Sequence, residues 1–252
     1  MSHNLTETAA GLRDKIRRNV GEVGVGGTMR RAAEVVLRKV FGRKSAAQRQ
    51  AHAFDLKYGT DTSGTIEPAS MDIPRGSVAH AKRYQTAIVE VFMEILKDLS
   101  VQSEKFVFID LGSGKGRALM LASQFPFKEI IGVELSADLH DVACRNIQIY
   151  KKQEPVSCEI RSVCADASRF DIPLEPIVFY LFNPFDEQVM NAVLANIESS
   201  LQTLHRDIYI AYLKPVCRKS FDESRFFTIE HDADRYVIYK SSPAARTAAI
   251  TR

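Results

Sequence analysis

"FVFIDLGSGKGRALMLA", residues 106–122, decides the fold. Apolar residues run into an acid, Asp110, then three glycines spaced two apart (Gly112, Gly114, Gly116), then a helix-like apolar segment. A short β-rich run that ends in glycines and restarts as a helix is the first turn of a βαβ unit. There glycines let the chain turn tightly and bring backbone amides against a ligand, with a helix N-terminus behind them. The position implies a nucleotide-like ligand.

Working outward, β-rich runs recur at 129–134, 156–164, 176–182, 207–213, 225–231 and 235–240. The first five strands, counting 105–111, alternate with helical patterns. One helix carries Leu139, Val142, Ala143, Asn146, Ile147 and Tyr150 on one face, and another covers 186–203. Alternation of this kind predicts a parallel sheet covered on both faces, an α/β, Rossmann-like doubly wound fold. Only "HDAD" separates the last two runs, too short for a crossover helix, so they are expected to pair as an antiparallel hairpin at the sheet edge. Ahead of the first strand, Ile88, Val91, Phe92, Ile95, Leu96 and Leu99 form a helical stripe beginning near Thr86.

The chain has 252 residues, enough for one substantial core with extensions. Its charge is unevenly placed: residues 1–50 hold eleven Lys/Arg against four Asp/Glu, and the remainder is mildly acidic. Four parts are expected: a basic helical extension at 1–50, a loop-rich connector or lid at 51–83, the main domain at 84–240, and a disordered tail at 241–252. In the extension, "MRRAAEVVLRKVF" reads as a basic amphipathic helix. It is either a solvated arm or a surface for nucleic acid, anionic membrane or protein. No apolar run approaches the ~18–20 residues of a membrane span, and no secretion signal is legible. Cys144, Cys158, Cys164 and Cys217 lack metal-ligand or redox spacing, and Cys158 and Cys164 are expected to pack in the core. These features point to the cytoplasm and to no metal.

Two ligand classes fit the glycine loop poorly. A phosphate-binding P-loop needs GxxxxGK[ST], and Lys115 lies instead between two glycines. "GEVGVGGT", residues 21–28, has the spacing but Gly27 where the lysine belongs, and reads as a joint. A dinucleotide fingerprint needs a third glycine where this chain has Arg117, although that cation could meet a pyrophosphate. The acid before the loop suits a cationic ligand group better.

"DLGSGKG", Glu134 ending the second strand, Asp166 in "CADA" and "FNPF" after the fourth strand together resemble the class I S-adenosylmethionine-dependent methyltransferases over about residues 84–240. The resemblance implies the strand order 3-2-1-4-5-7-6 with strand 7 antiparallel. It implies that Gly112, Ser113, Gly114 and Gly116 pack beside the methionine part of the cofactor, with Asp110 placing its ammonium. Glu134 would accept both ribose hydroxyls, with Leu135 beside it. Asp166 would take the adenine amine, with a backbone contact at Ala167. From the residues alone, Glu134 also reads as a solvated strand-end acid, and Asp166 as a helix N-cap.

Phe182, Asn183, Pro184 and Phe185 are similar to the [N/D]PP[Y/F] motif of aminomethyltransferases, one proline short; a turn with Phe185 in the core is the plain alternative. The segment "FPFKEIIGVELSADLHDVACRN" with Tyr84 in "RYQTA" resembles non-SET protein lysine methyltransferases, in part, since Thr86 and Ala87 replace a proline and a threonine. Tyr84 is expected at the cofactor entry. Asn183 is the candidate catalytic residue, and Tyr84, Tyr180, Phe182 and Phe185, with Pro184, could wall an acceptor amine. No general base stands out, and His80 reads as a surface residue. The expectation is methyl transfer to an amine nitrogen, on a protein lysine. Nucleic acid, and an inactive cofactor-binding module, are the alternatives.

Overall fold

The computed structural model describes residues 46–242, with side chains from residue 52 onward. The basic helix of the extension, the glycine-rich stretch at 21–28 and most of the expected tail lie outside the described residues. In order come α1 (Ala46–Tyr58), β1 (Thr65–Ile66), β2 (Tyr84–Gln85), α2 (Val89–Asp98), β3 (Val107–Leu111), α3 (Arg117–Ala122) and β4 (Glu129–Glu134). Then follow α4 (Ala137–Lys151), β5 (Glu159–Cys164), β6 (Ile177–Phe182), α5 (Glu187–Thr203), β7 (Ile208–Leu213), α6 (Arg218–Asp222), β8 (Phe227–Asp232) and β9 (Tyr236–Ser241).

Seven strands form one sheet in the order β5-β4-β3-β6-β7-β9-β8. The first five are parallel to their neighbours, and β9 is antiparallel to both β7 and β8. Counting only these strands, the order is 3-2-1-4-5-7-6 with the seventh reversed. The hairpin is present, and its second arm lies inside the sheet with β8 at the edge.

Central strands are buried on both faces, which is why they read as unbroken apolar runs. Phe108 and Tyr180 face one layer with Phe92 and Ile95 of α2, while Ile109 and Phe179 face the other with Val193 and Ile197 of α5. Ile95 and Phe92 are fully buried, so truncating either to alanine should cost about 2–5 kcal/mol. Helix starts carry side-chain caps: Ser136 Oγ accepts from Leu139 N at the head of α4, and Asp186 accepts from Val189 N at 3.0 Å at the head of α5.

Several expectations need correcting. The connector at 51–83 does not begin as loop: residues 51–58 continue α1, and β1 pairs antiparallel with β2 at Ile66 and Tyr84. Helix α2 begins at Val89 rather than near Thr86, because Tyr84 and Gln85 are spent on that pairing. Cys164 is exposed, since β5 is an edge strand, whereas Cys158, just before that strand, packs against the core as expected while staying partly buried. No helix among the described residues is long and apolar enough to cross a membrane.

Candidate functional site

In a parallel sheet all strands deliver their carboxyl ends to one side, and here those ends border a cavity of about 430 Å³. Gly112 comes from the loop after β3, Glu134 and Leu135 from β4, and Asp166 and Ala167 from the turn after β5. Phe182, Asn183, Pro184 and Phe185 come from the end of β6, and Tyr84 from β2. Thus ten of the residues singled out in the sequence share one wall.

Glu134 is nearly buried and fixed by its own neighbours. Its Oε2 accepts the Gly114 amide and its Oε1 the Ser136 amide, both at 2.8 Å. Burial raises its pKa, and these amides, with that of Leu135, pull the other way without cancelling the rise. The acid therefore clasps the glycine loop while lining the cavity. Asp166 Oδ1 accepts the Ser168 amide at 2.9 Å and its hydroxyl at 2.7 Å, capping a short 3-10 turn. The cap and a place on the cavity wall coexist in this residue.

Five expected residues are not on that wall. Asp110 is 4% exposed, and burial, reinforced by the Glu134 charge, pushes its carboxyl well above the ordinary range. Ser113 is buried with no partner for its Oγ. Gly114 and Gly116 lie behind the wall, Gly116 against Ala143 of α4. Tyr180, expected as an aromatic wall, is a core residue: it is 1% exposed, its ring sits 5.1 Å from that of Phe92, and its hydroxyl has no hydrogen-bond partner.

Asn183 and Lys214 are the two non-glycine residues with positive φ among the described residues, 43° and 51°, and both line the cavity. Asparagine adopts left-handed backbone more readily than other non-glycine residues, whereas at a residue such as Lys214 it costs of order 1–2 kcal/mol. Asn183 Oδ1 is buried without a hydrogen-bond partner. Such an acceptor forfeits about 1–3 kcal/mol until a donor reaches it.

Several lining residues carry no local signal in the sequence. His80 was read as a surface residue, yet it lines the cavity with its Nδ1 2.6 Å from Asp186 Oδ2. The Asp186 amide donates to the His80 carbonyl, and Ala81 bridges Phe185, so this part of the connector is stitched to the loop after β6. Lys82, Arg83 and Lys214 are exposed cations on the rim, with Lys214 Nζ 4.9 Å from the Phe182 ring centre. Gly, Pro, Ser and Thr content marked the connector as a lid, but nothing in it marked which side chains turn inward. Arg117 meets no pyrophosphate: it is 2% exposed, 3.4 Å from Asp55 and stacked over Phe54.

Residues 65–162 match the family described as Histone methylation protein DOT1. The chain is a class I S-adenosylmethionine-dependent methyltransferase. The match runs from β1 into β5 and stops short of the loop that carries Asn183. No curated protein matches the sequence. Solved structures similar to it include a ribosomal protein L11 methylase from Lactobacillus delbrueckii subsp. bulgaricus (15% identity, 61% of this chain and 77% of that one, TM-score 0.44). Another is magnesium protoporphyrin IX methyltransferase (ChlM) from Synechocystis PCC 6803 with bound SAM (13%, 61% and 77%, 0.44). A third is TrmN from Thermus thermophilus (14%, 62% and 49%, 0.46). Likenesses this distant say nothing about the acceptor.

The residues of this methyltransferase suit its cofactor. A buried carboxylate at the end of β4 is a charged acceptor for hydroxyls, the 430 Å³ cavity falls within the ordinary range for small-molecule sites, and an orphaned amide oxygen waits at the end of β6.

Proposed function

We propose that this methyltransferase acts on an amine nitrogen, and that the acceptor is a protein lysine. The observation that carries the reading is the buried, partnerless Oδ1 of Asn183 between Phe182 and Phe185 on the cavity wall. An oxygen of that kind calls for a hydrogen-bond donor, which a substrate amine can supply. The match to a family described by histone methylation supports a lysine. In this reading Glu134 holds the ribose, Asp166 offers its second oxygen to the adenine amine, and Gly112 lets the backbone come close.

When bound, S-adenosylmethionine supplies a methyl group activated on a sulfonium. The chain's own part is to bring an amine lone pair into line with it, and orientation of this kind lowers barriers by several kcal/mol. Asn183 accepts one N–H of the amine and so points the lone pair away from itself. Phe182 and Phe185 strip water from the amine, and desolvation lowers the pKa of a lysine so that the neutral form is populated.

A second reading, transfer to nucleic acid, is favoured by Lys82, Arg83 and Lys214 on the rim, three exposed cations placed where phosphates could dock. Incubating cell lysate with the enzyme and tritiated cofactor separates the two. Protease-sensitive label that hydrolyses to methyl-lysine supports the first reading. Nuclease-sensitive label replaces it with the second.

A further inference from the structure

A dense set of hydrogen bonds outside the cavity wall joins residues 54–63 to the glycine loop. Asp55, on α1, collects Thr60 Oγ1 at 2.9 Å, Thr62 N at 2.9 Å and Thr62 Oγ1 at 2.7 Å on Oδ1, and the Ser63 hydroxyl on Oδ2. Its acceptor capacity is what coils residues 60–63 into a compact turn. Burial pushes this carboxyl up, but the donors Ser63, Thr62 and Thr60 outweigh it and hold the group below its ordinary pKa.

Thr62, fully buried, is the hub of the turn. Its Oγ1 accepts Arg117 Nε at 2.6 Å, and its carbonyl accepts the Tyr84 hydroxyl at 2.6 Å. Arg117 is the first residue of α3, immediately after the loop. The Tyr84 ring fills the place a side chain on Gly114 would need: a Cβ there would fall 2.3 Å from Tyr84 Cε2. Thr62 thus grips the loop at its middle and at its exit.

A second link runs beside the first. Lys115 Nζ reaches Asp61 Oδ1 at 3.0 Å, while the Asn146 carboxamide accepts Asp61 N at 2.8 Å and donates to the carbonyls of Asp61 and Lys115, each at 3.0 Å. Opposite all this, Glu134 holds Gly114 N. The loop is clasped from both sides, by the ribose-facing acid and by a segment some fifty residues upstream.

We propose that Thr62, seated by Asp55, is a positioning residue for cofactor binding: it fixes Tyr84 and Arg117 and thereby pre-organises the glycine loop. A loop rich in left-handed glycines has many other conformations open to it, and each must be given up on binding unless the strap has already removed it. Cofactor affinity is then set partly by residues that do not touch the cofactor. The inference rests on the cofactor assignment, and one of its two measurements does not.

The test uses the full chain with Thr62→Val, which keeps the β-branched shape and removes the hydroxyl, and Thr62→Ser, which keeps the hydroxyl. Calorimetric titration with S-adenosylmethionine should show Thr62→Val weaker by about tenfold, a loss of one or two hydrogen bonds to charged partners, and Thr62→Ser close to the unaltered protein. Hydrogen exchange at the Gly114 and Gly116 amides should quicken in Thr62→Val while Phe108 and Ile109 stay as protected as before. Should Thr62→Val fail to fold, Tyr84→Phe, which removes the hydroxyl that the Thr62 carbonyl accepts and keeps the ring against Gly114, carries the same two readouts. A lower melting temperature with unchanged affinity and unchanged loop exchange would make the cluster a brace only and overturn the proposal. Absence of binding by the unaltered protein would overturn the cofactor assignment instead, with loop exchange still deciding the strap.

Discussion

A Cβ placed on Gly112 would lie 2.6 Å from the Cβ of Pro184. The loops after β3 and β6 therefore touch on the cavity wall, and in the proposed reading that is where the cofactor and acceptor meet. Gly112 also has φ +83°, so a side chain there is both strained and blocked. Gly112→Ala should weaken S-adenosylmethionine by at least about tenfold, from strain of order 1–2 kcal/mol plus the displacement of Pro184. Calorimetry showing equal affinity would mean that the loops separate without consequence.

Glu134→Ala should weaken the cofactor by about tenfold or more, since two bonds from ribose hydroxyls to a charged acceptor would be lost. The pH dependence has a definite sign. The folded pKa is raised by burial, so protonation sets in above the ordinary 4.5 and removes the charged acceptor. Affinity should fall as pH drops through that raised value. For folding the sign is opposite: the contribution is most favourable below the unfolded pKa and is lost as pH rises through the folded one. An affinity that stays flat as pH is lowered through the range in which this carboxylate takes up its proton would exclude Glu134 as the ribose acid.

Asn183 carries two burdens, a left-handed backbone and an amide, and two substitutions separate them. Asn183→Gly relieves the backbone and removes the amide, whereas Asn183→Ala removes the amide and adds strain. Both should leave cofactor affinity within a few-fold and cut label transfer by about a hundredfold, a loss of about 2.7 kcal/mol at the chemical step. Full activity in Asn183→Gly would reduce this residue to a turn former.

Tyr180→Phe removes a buried hydroxyl that has no partner. The protein should be equally stable or up to about 1 kcal/mol more stable in urea, with unchanged transfer. Loss of transfer would return Tyr180 to the acceptor wall.

Asp55→Ala should cost about 3 kcal/mol, because it takes the anion away from buried Arg117 and the acceptor away from Thr60, Thr62 and Ser63. With its folded pKa held below 3.8, Asp55 contributes stability that is present above that value and lost as pH falls through the lowered one. Acid unfolding of the variant should begin at a higher pH than that of the unaltered chain, followed by circular dichroism.

The sheet was legible because its information is local: apolar runs, glycines at one strand end and short links fix strand identity within a few residues. Topology puts Glu134, Asp166 and Asn183 at the carboxyl ends of parallel strands, but it was the family resemblance, not the residues alone, that singled them out for the cavity. Tyr180 was misread for a related reason. Alternation distinguishes wet from dry faces only when one face is wet, and β6 is covered on both. His80, Thr62 and Asp55 were missed because what makes them matter sits far along the chain; Thr62 meets Arg117 across 55 positions and His80 meets Asp186 across 106. Nothing in a run of Gly, Ser and Thr announces such partners.

The reversed strand sets an order of attachment. β9 hydrogen-bonds to β7 on one side and β8 on the other, so β8 reaches the sheet only through β9. The short turn at 233–235 makes the β8–β9 pairing local in sequence, whereas β9 reaches β7 across α6 and β8. In native-state hydrogen exchange, amides of β8 should open with those of β9 or before them, never after, because the edge strand has no other ladder to hold it.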